Sequence, residues 1–244
     1  DAWPLSFMLC DEVGLGKTYL AGEVILEATD QKRQRVLIIC PAALKESMWK
    51  PFIKKHGFRL TDVMSYDEVR IKMGPENPGH IQFVNQVKDY AMVVVDEAHN
   101  LRNSNAEKSK AVDRVIREGK YPKQVMLLTA TPVNNSLRDL ETLVSYFIKD
   151  DAKFAHLNIP SIKGYIAKAQ DMDPENLTPE HLFELMDQVA VRRTRKFVKD
   201  HYPNEFLKNP QGESVLIKFP TPRVRRIDYE LSGAGESLVN RVLE

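Results

Sequence analysis

Four short runs of this chain are apolar along nearly their whole length: Leu5–Cys10, Val36–Cys40, Ala91–Val95 and Val125–Thr129. A strand with one wet face alternates polar and apolar residues, whereas a strand covered on both faces does not. Between these runs lie stretches with helical spacing. Lys17–Ala28, Leu44–Phe52, Ile81–Asp89 and Ser104–Gly119 read as helices, the last closed by its glycine. Ser136–Phe147 places Leu137, Leu140, Val144 and Phe147 on one face, and Ser136 with Asp139 has the spacing of a capping box. Asp30–Arg35 reads as a polar turn and Met73–His80 as a surface loop. Strands alternating with helices predict an α/β fold with a mainly parallel central sheet wrapped on both faces. Such sheets bind ligands beyond the carboxyl ends of their strands.

The segments that follow these strands carry chemistry. After Cys10 comes DEVGLGKT, residues 11–18. The general phosphate-binding pattern begins with glycine, and here Asp11 holds that place. Gly14, Leu15, Gly16, Lys17 and Thr18 remain, between a strand and a helix. Residues without a Cβ let backbone N–H groups wrap a polyphosphate, and the helix N-terminus adds positive potential. Lys17 would reach the β- and γ-phosphates, and the Thr18 hydroxyl would bind Mg²⁺. Taken alone, the loop also reads as a glycine-rich turn with a capping threonine.

The run Val93–Val95 ends in Asp96 and Glu97. A carboxylate at the end of a central parallel strand faces the phosphate loop and can hold Mg²⁺, and the next acid can orient or deprotonate water. Alone, the pair also reads as an acidic turn before a helix. Both motifs in this order point to ATP binding and hydrolysis.

Hydrophobic residues make up 43% of the 244 and charged residues 28%, with a net charge of +1, so any basic footprint for nucleic acid must be local. Arg192, Arg193, Arg195, Lys196 and Lys199 form one such cluster, and Arg223, Arg225 and Arg226 another. Both read either as solvated faces or as a contact to DNA or to another lobe. The two cysteines, Cys10 and Cys40, each end an apolar run and read as small buried residues. The histidines lack metal-ligand spacing, so no zinc site is expected. No apolar run is long enough to cross a bilayer. A reducing, cytoplasmic compartment is expected.

The pattern changes near residue 150. Residues 1–149 read as the ATPase lobe and 150–213 as a helical appendage that includes an amphipathic helix over Pro179–Val191. Residues 214–244 read as a strand and helix leading onward: Val215–Phe219 and Arg223–Leu231 have strand character, and Glu236–Leu243 begins a helix.

DEVGLGKT, ICPAAL, DEAHNLRN and LLTATP together resemble the motifs of superfamily-two helicase-like ATPases. The finer resemblance is to Swi/Snf-type DNA translocases, whose acidic motif continues into a Lys/Arg-Asn pair, here Arg102-Asn103. Ala21-Gly22 after the loop is most similar to the bacterial branch, which includes the RNA-polymerase-recycling ATPase. The resemblance is specific over about residues 8–148. Weaker similarity continues through VRRTRKFV and FPTPRVRRIDYEL.

The resemblance implies a three-layer RecA-like lobe that binds ATP and Mg²⁺, with double-stranded DNA as partner. It implies that Gly14, Gly16, Lys17 and Thr18 hold the triphosphate, that Asp96 coordinates Mg²⁺ and that Glu97 is the catalytic acid. It implies that His99 and Thr129-Ala130-Thr131 couple the nucleotide and DNA sites. Pro41, Ala42 and Lys45 would lie near DNA phosphates, and Ser65 and Tyr66 would match the next DNA-contacting motif. Such motors have two lobes, the second supplying an arginine to the transferring phosphate, so a first lobe alone is expected to be weakly active or inactive. A nucleoid-associated location follows for a bacterial protein. Two other readings remain open: a strand-separating DNA or RNA helicase, and a nucleotide-gated module that recruits a partner.

Overall fold

The computed structural model describes residues 6–133, 136–172, 180–202, 206–208 and 213–216. In chain order its elements are β1 (Phe7–Leu9), α1 (Lys17–Leu26), β2 (Arg35–Cys40), α2 (Ala42–Leu44), α3 (Lys50–His56), β3 (Thr61–Ser65), α4 (Tyr66–Met73), α5 (His80–Lys88), β4 (Tyr90–Asp96), α6 (Glu107–Arg117), β5 (Gln124–Leu128), α7 (Arg138–Ser145), α8 (Ile162–Gln170), α9 (Glu180–Val189), β6 (Ala190–Val191), α10 (Arg195–His201), β7 (Phe206–Lys208) and β8 (Ser214–Leu216).

Six strands form one sheet in the order β3-β2-β4-β5-β1-β6, and every neighbouring pair is parallel. Alternation along the strands divides the core in two. Met8, Leu37, Ile39, Val93, Val95, Val125 and Leu127 face α4 to α9, meeting Val69, Phe83, Val112, Leu140, Ile166 and Leu185. Leu9, Val36, Ile38, Met92, Val94, Met126 and Leu128 face the other way, onto Ala21 and Ile25 of α1 and onto Trp49. The four apolar runs are therefore apolar because both faces are covered, and the layers are helix, sheet and helix. The fold is the RecA-like α/β type.

Several local expectations change. The helix read over Leu44–Phe52 is present but irregular: α2 runs through a wide π turn over Lys45–Trp49 directly into α3. Pro51, in the first turn of α3, lacks the N–H that a regular helix would need there. The capping box at Ser136 and Asp139 does not form. The Ser136 hydroxyl accepts from the Arg138 N–H at 3.1 Å, while the Asp139 carboxylate lies 3.5 Å from Arg102. A reciprocal box forms instead at Ser65 and Glu68, opening α4. Strand β3 carried no apolar run, because as an edge strand it keeps polar Thr61 and Asp62 half-exposed.

Gly22 is a packing requirement. A Cβ there would stand 2.8 Å from the Phe52 ring, so α1 can lie this close to α3 only without a side chain.

The chain divides into compact units over residues 1–198 and 199–244, whereas composition suggested boundaries at 149 and 213. Helices α8 and α9 do follow residue 150, but β6 then rejoins the sheet beside β1. Within the second unit, β7 and β8 pair antiparallel. Pro179, the strand read over Arg223–Leu231 with its arginines, and the helix read over Glu236–Leu243 lie outside the described residues. No helix among the described residues is long and apolar enough to cross a membrane.

A candidate nucleotide site

Register brings the motifs together at the carboxyl ends of the strands. Leu128 of β5 pairs with Leu9 of β1 on one side and with Asp96 of β4 on the other. The loop after β1, the acids after β4 and Thr129 after β5 therefore start at the same height, and the Thr129 N–H donates to the Leu9 carbonyl at 3.1 Å.

The loop turns through two left-handed glycines, Gly14 with φ 85° and Gly16 with φ 81°. Gly16 directly precedes α1, so Lys17 and Thr18 occupy the first turn. The Lys17 ammonium folds back onto its own loop, donating to the Asp11 carbonyl at 2.8 Å and to the Glu12 carbonyl at 3.5 Å. The Thr18 hydroxyl faces the Met48 sulfur at 3.5 Å.

Asp96 is buried. Its Oδ2 accepts from the Trp49 indole N–H at 2.9 Å and its Oδ1 from the Glu97 backbone N–H at 2.9 Å. Burial pushes its carboxyl above the ordinary aspartate range, against those two hydrogen bonds and the Lys17 charge. Glu97 is a non-glycine residue in the left-handed region, with φ 52° and ψ 47°. That conformation is strained and needs external support. Its carbonyl accepts from the Asn100 backbone at 3.0 Å, the Asn100 side chain at 2.9 Å and the Tyr66 hydroxyl at 3.3 Å. The result turns the Glu97 carboxylate toward His99, whose Nδ1 lies 3.0 Å from Oε2.

Gly14, Gly16, Lys17, Thr18, Asp96 and Glu97 line one cavity of about 550 Å³. Tyr19 and Phe52 line the same cavity, their rings edge-to-face at 5.3 Å, and Tyr19 is exposed. Leu15 is half-buried in the loop and is not among the lining residues. The arrangement can hold a polyanion on backbone N–H groups and Lys17, with hard oxygen donors from Thr18 and Asp96 beside it.

His99, Thr129 and Thr131 do not line the cavity. Thr129 is buried and its hydroxyl accepts from the Thr131 N–H at 3.2 Å. Arg102 donates to the carbonyl of Thr131 and, at 3.0 Å, to its hydroxyl, joining the acidic segment to the segment after β5.

The five residues matched to DNA contacts are placed differently from one another. Pro41 is half-buried and Ala42 exposed, at the start of α2. The Lys45 ammonium is ion-paired with Glu68 at 2.5 Å. Burial raises the Glu68 carboxyl, and the Lys45 and Ser65 hydrogen bonds outweigh it, so its pKa is lowered. Ser65 and Tyr66 are buried, with the Ser65 hydroxyl capping α4 and the Tyr66 hydroxyl donating to the Asp96 carbonyl at 2.7 Å. The contributions of Trp49 and Tyr66 to the acidic corner have no sequence signal: nothing marks Trp49, and Tyr66 resembles only part of a DNA-contacting motif. Cys10 and Cys40 are buried free thiols, each pushed up to about 12 by burial, so neither supplies a thiolate near neutral pH.

A parallel α/β sheet with a glycine loop, a lysine and paired acids on one cavity defines a P-loop ATPase lobe. Residues 61–209 match the model of the SNF2-related domain, and the chain belongs to that family. It is 28% identical over 245 aligned residues to an uncharacterized ATP-dependent helicase, YqhH, of Bacillus subtilis, covering 95% of this chain and 40% of that one. It is 32% identical over 145 residues to the RNA polymerase-associated protein RapA of Proteus mirabilis, covering 51% of this chain and 15% of that protein. The fold resembles the Sulfolobus solfataricus SWI2/SNF2 ATPase core solved in complex with double-stranded DNA, with a TM-score of 0.54, 20% identity, and coverage of 78% of this chain and 40% of that one. The chain thus spans less than half the length of these relatives. It is a Swi/Snf-type ATPase domain of helicase superfamily two, corresponding to the first lobe.

Proposed function

We propose that this lobe binds ATP with Mg²⁺ and, in the whole protein, serves a motor that hydrolyses ATP to move along double-stranded DNA and remodel protein–DNA complexes. The observation that carries the reading is the convergence of Lys17, Thr18, Asp96 and Glu97 on one cavity. The donor set fits Mg²⁺, which prefers a few hard oxygens alongside phosphate oxygens. When bound, the ion would neutralise charge on the β- and γ-phosphates. Lys17 would exchange the Asp11 and Glu12 carbonyls for phosphate oxygens. Thr18 and Asp96 would hold the ion, the buried carboxylate gaining the counter-charge it lacks. Glu97 would orient the attacking water and take up its proton, helped by the nearby His99 imidazole.

Duplex DNA as the track is supported by the DNA-bound relative and by the Arg102-Asn103 pair. The contacts that run from Glu97 to His99, from the Arg102 N–H to the His99 carbonyl, and from Arg102 to Thr131 support His99, Thr129 and Thr131 as coupling residues. Pro41 and Ala42 remain accessible for phosphate contact, while Lys45, Ser65 and Tyr66 would first have to leave their present partners. The test is ATPase activity of the whole protein. Stimulation by duplex DNA without strand release supports the proposal. Stimulation mainly by single-stranded RNA replaces it with an RNA helicase, turnover insensitive to Glu97→Gln removes Glu97 from the chemistry, and nucleotide binding without DNA-stimulated turnover replaces the motor with a nucleotide-gated module.

A further inference from the structure

Arginines of the run VRRTRKFV are joined to the phosphate loop. The Arg193 guanidinium grips Asp11 with two arms, Nε 3.2 Å from Oδ1 and Nη2 2.5 Å from Oδ2, and its backbone N–H donates to Oδ1 at 2.7 Å. Asp11 is fully buried. The Arg195 N–H donates to the Glu12 carboxylate at 3.1 Å, and its Nη2 donates to the Val13 carbonyl at 2.9 Å. The Glu12 N–H donates to the Arg193 carbonyl at 3.2 Å and the Cys10 N–H to the Val191 carbonyl at 2.7 Å. Residues 191–195 thus hold the loop along its first half, before Gly14. Arg193 itself is not among the residues lining the cavity.

Two physical consequences follow. A glycine-containing loop has many accessible shapes, and a binding site gains affinity when its bound shape is fixed beforehand. A buried carboxylate beside an anion cradle repels its ligand unless it is paired, and a bidentate guanidinium is the strongest such pairing. Asp11 stands where the general pattern has glycine, so this loop carries a charge that the general pattern does not have.

We propose that Arg193 is a positioning residue of the nucleotide site. Seated on Asp11, it fixes the first half of the phosphate loop and cancels the negative charge beside it, making triphosphate affinity conditional on residues 190–195 staying docked at the sheet edge. The inference rests on reading DEVGLGKT as a triphosphate loop.

The test measures binding of a fluorescent ATP analogue to the 244-residue chain, with inorganic tripolyphosphate as competitor and urea unfolding in parallel. Lys17→Ala tests the loop reading alone: if it binds as tightly as wild type, that reading fails, and the Arg193 inference with it. If Lys17→Ala loses binding, the Arg193 variants decide. Arg193→Lys keeps the charge and loses the fork. It is expected to bind both ligands about tenfold more weakly, as loss of a supporting partner does at other sites, with an unchanged urea midpoint. Arg193→Ala is expected to bind more weakly still, and adding Asp11→Asn to it should restore part of the affinity by removing the bare carboxylate. Wild-type affinity in Arg193→Lys overturns the proposal, as does a double variant no tighter than Arg193→Ala. A shifted midpoint with unchanged affinity makes the pair structural only, which also overturns it.

Discussion

The indole of Trp49 and the carboxylate of Asp96 are joined by a 2.9 Å hydrogen bond inside the protein, with Asp96 on the wall of the candidate cavity and Trp49 behind it in the core. Trp49 is fully buried and packs against the sheet face formed by Val94, Ile38 and Leu128. The bond stabilises the ionised carboxylate and opposes the upward push of burial.

Trp49→Phe should therefore move the acid limb of the ATPase pH profile upward. Without the indole N–H, ionising Asp96 becomes harder, so the population able to bind Mg²⁺ declines at a higher pH than in wild type. The variant should also lose about 1–3 kcal/mol of stability from the unsatisfied acceptor, added to a packing loss. Urea denaturation and kcat/KM against pH, both on the whole protein, check the two effects. An acid limb at the wild-type position would remove Trp49 from the tuning of Asp96.

Asp96→Asn should abolish Mg²⁺-dependent turnover and take away the pH dependence that Asp96 gives to the stability of the ligand-free protein. The sign follows from linkage. A carboxyl whose folded pKa is raised binds its proton more tightly when folded. Its contribution favours folding below the unfolded pKa and is lost as pH rises through the folded value, so ionised Asp96 weakens the empty protein at neutrality. Asparagine keeps the shape and removes the titration, but its amide nitrogen cannot accept, so the Trp49 or the Glu97 N–H loses its partner. Calorimetry without nucleotide across pH checks this: the stability of wild type relative to Asp96→Asn should decline as pH rises toward neutrality, and added Mg²⁺ with a non-hydrolysable nucleotide should stabilise wild type more than the variant.

How much of this was legible depends on sequence distance. VLIIC and AMVVV announce strands because burial on both faces leaves a continuous apolar run. The loop and the acids are readable because each is local. Strand β6 is not readable, since two residues carry no period. Nor is the Arg193–Asp11 pair, whose members lie 182 residues apart. The basic run reads in sequence either as a solvated face or as a contact to DNA or another lobe, because charge reveals nothing about its partner. Tyr66 and Lys45 illustrate the converse: a motif resemblance assigns them outward roles, while local geometry turns them onto the Asp96 carbonyl and Glu68. The residues that gather on the cavity are local motifs and could be named from sequence, whereas the contacts that hold them in place could not.

Gly22→Ala should destabilise the protein although alanine is the better helix former by about 1 kcal/mol. The added methyl would meet Phe52 at 2.8 Å, and Phe58 stands behind at 3.4 Å. Phe52 is also stacked against Tyr19, His56 and Trp49, so it cannot yield alone. Overpacking of this kind costs about 1–3 kcal/mol, which exceeds the helix gain at its upper end. Urea denaturation of Gly22→Ala beside Gly22→Ala/Phe52→Leu checks the cause: the second change should recover stability. An unaltered or raised midpoint in the single variant would show that the helix pair relaxes apart.

Lys17→Ala and Glu97→Gln should separate binding from chemistry. Lys17 sits in the first turn of α1 with its ammonium on the Asp11 and Glu12 carbonyls, so its removal takes the cation from the cradle without opening the core. Nucleotide affinity should collapse while the fold persists by circular dichroism. Glu97 is half-exposed, and its backbone is fixed by Asn100 and Tyr66 independently of its carboxylate. Glutamine keeps that backbone and the hydrogen bonds to water but cannot accept a proton. Turnover of the whole protein should drop by about 10²–10⁴-fold, the usual worth of a positioned general base, with nucleotide affinity near wild type. Parallel losses of binding and turnover in both variants would mean that Glu97 shapes the cavity and that another group handles the water.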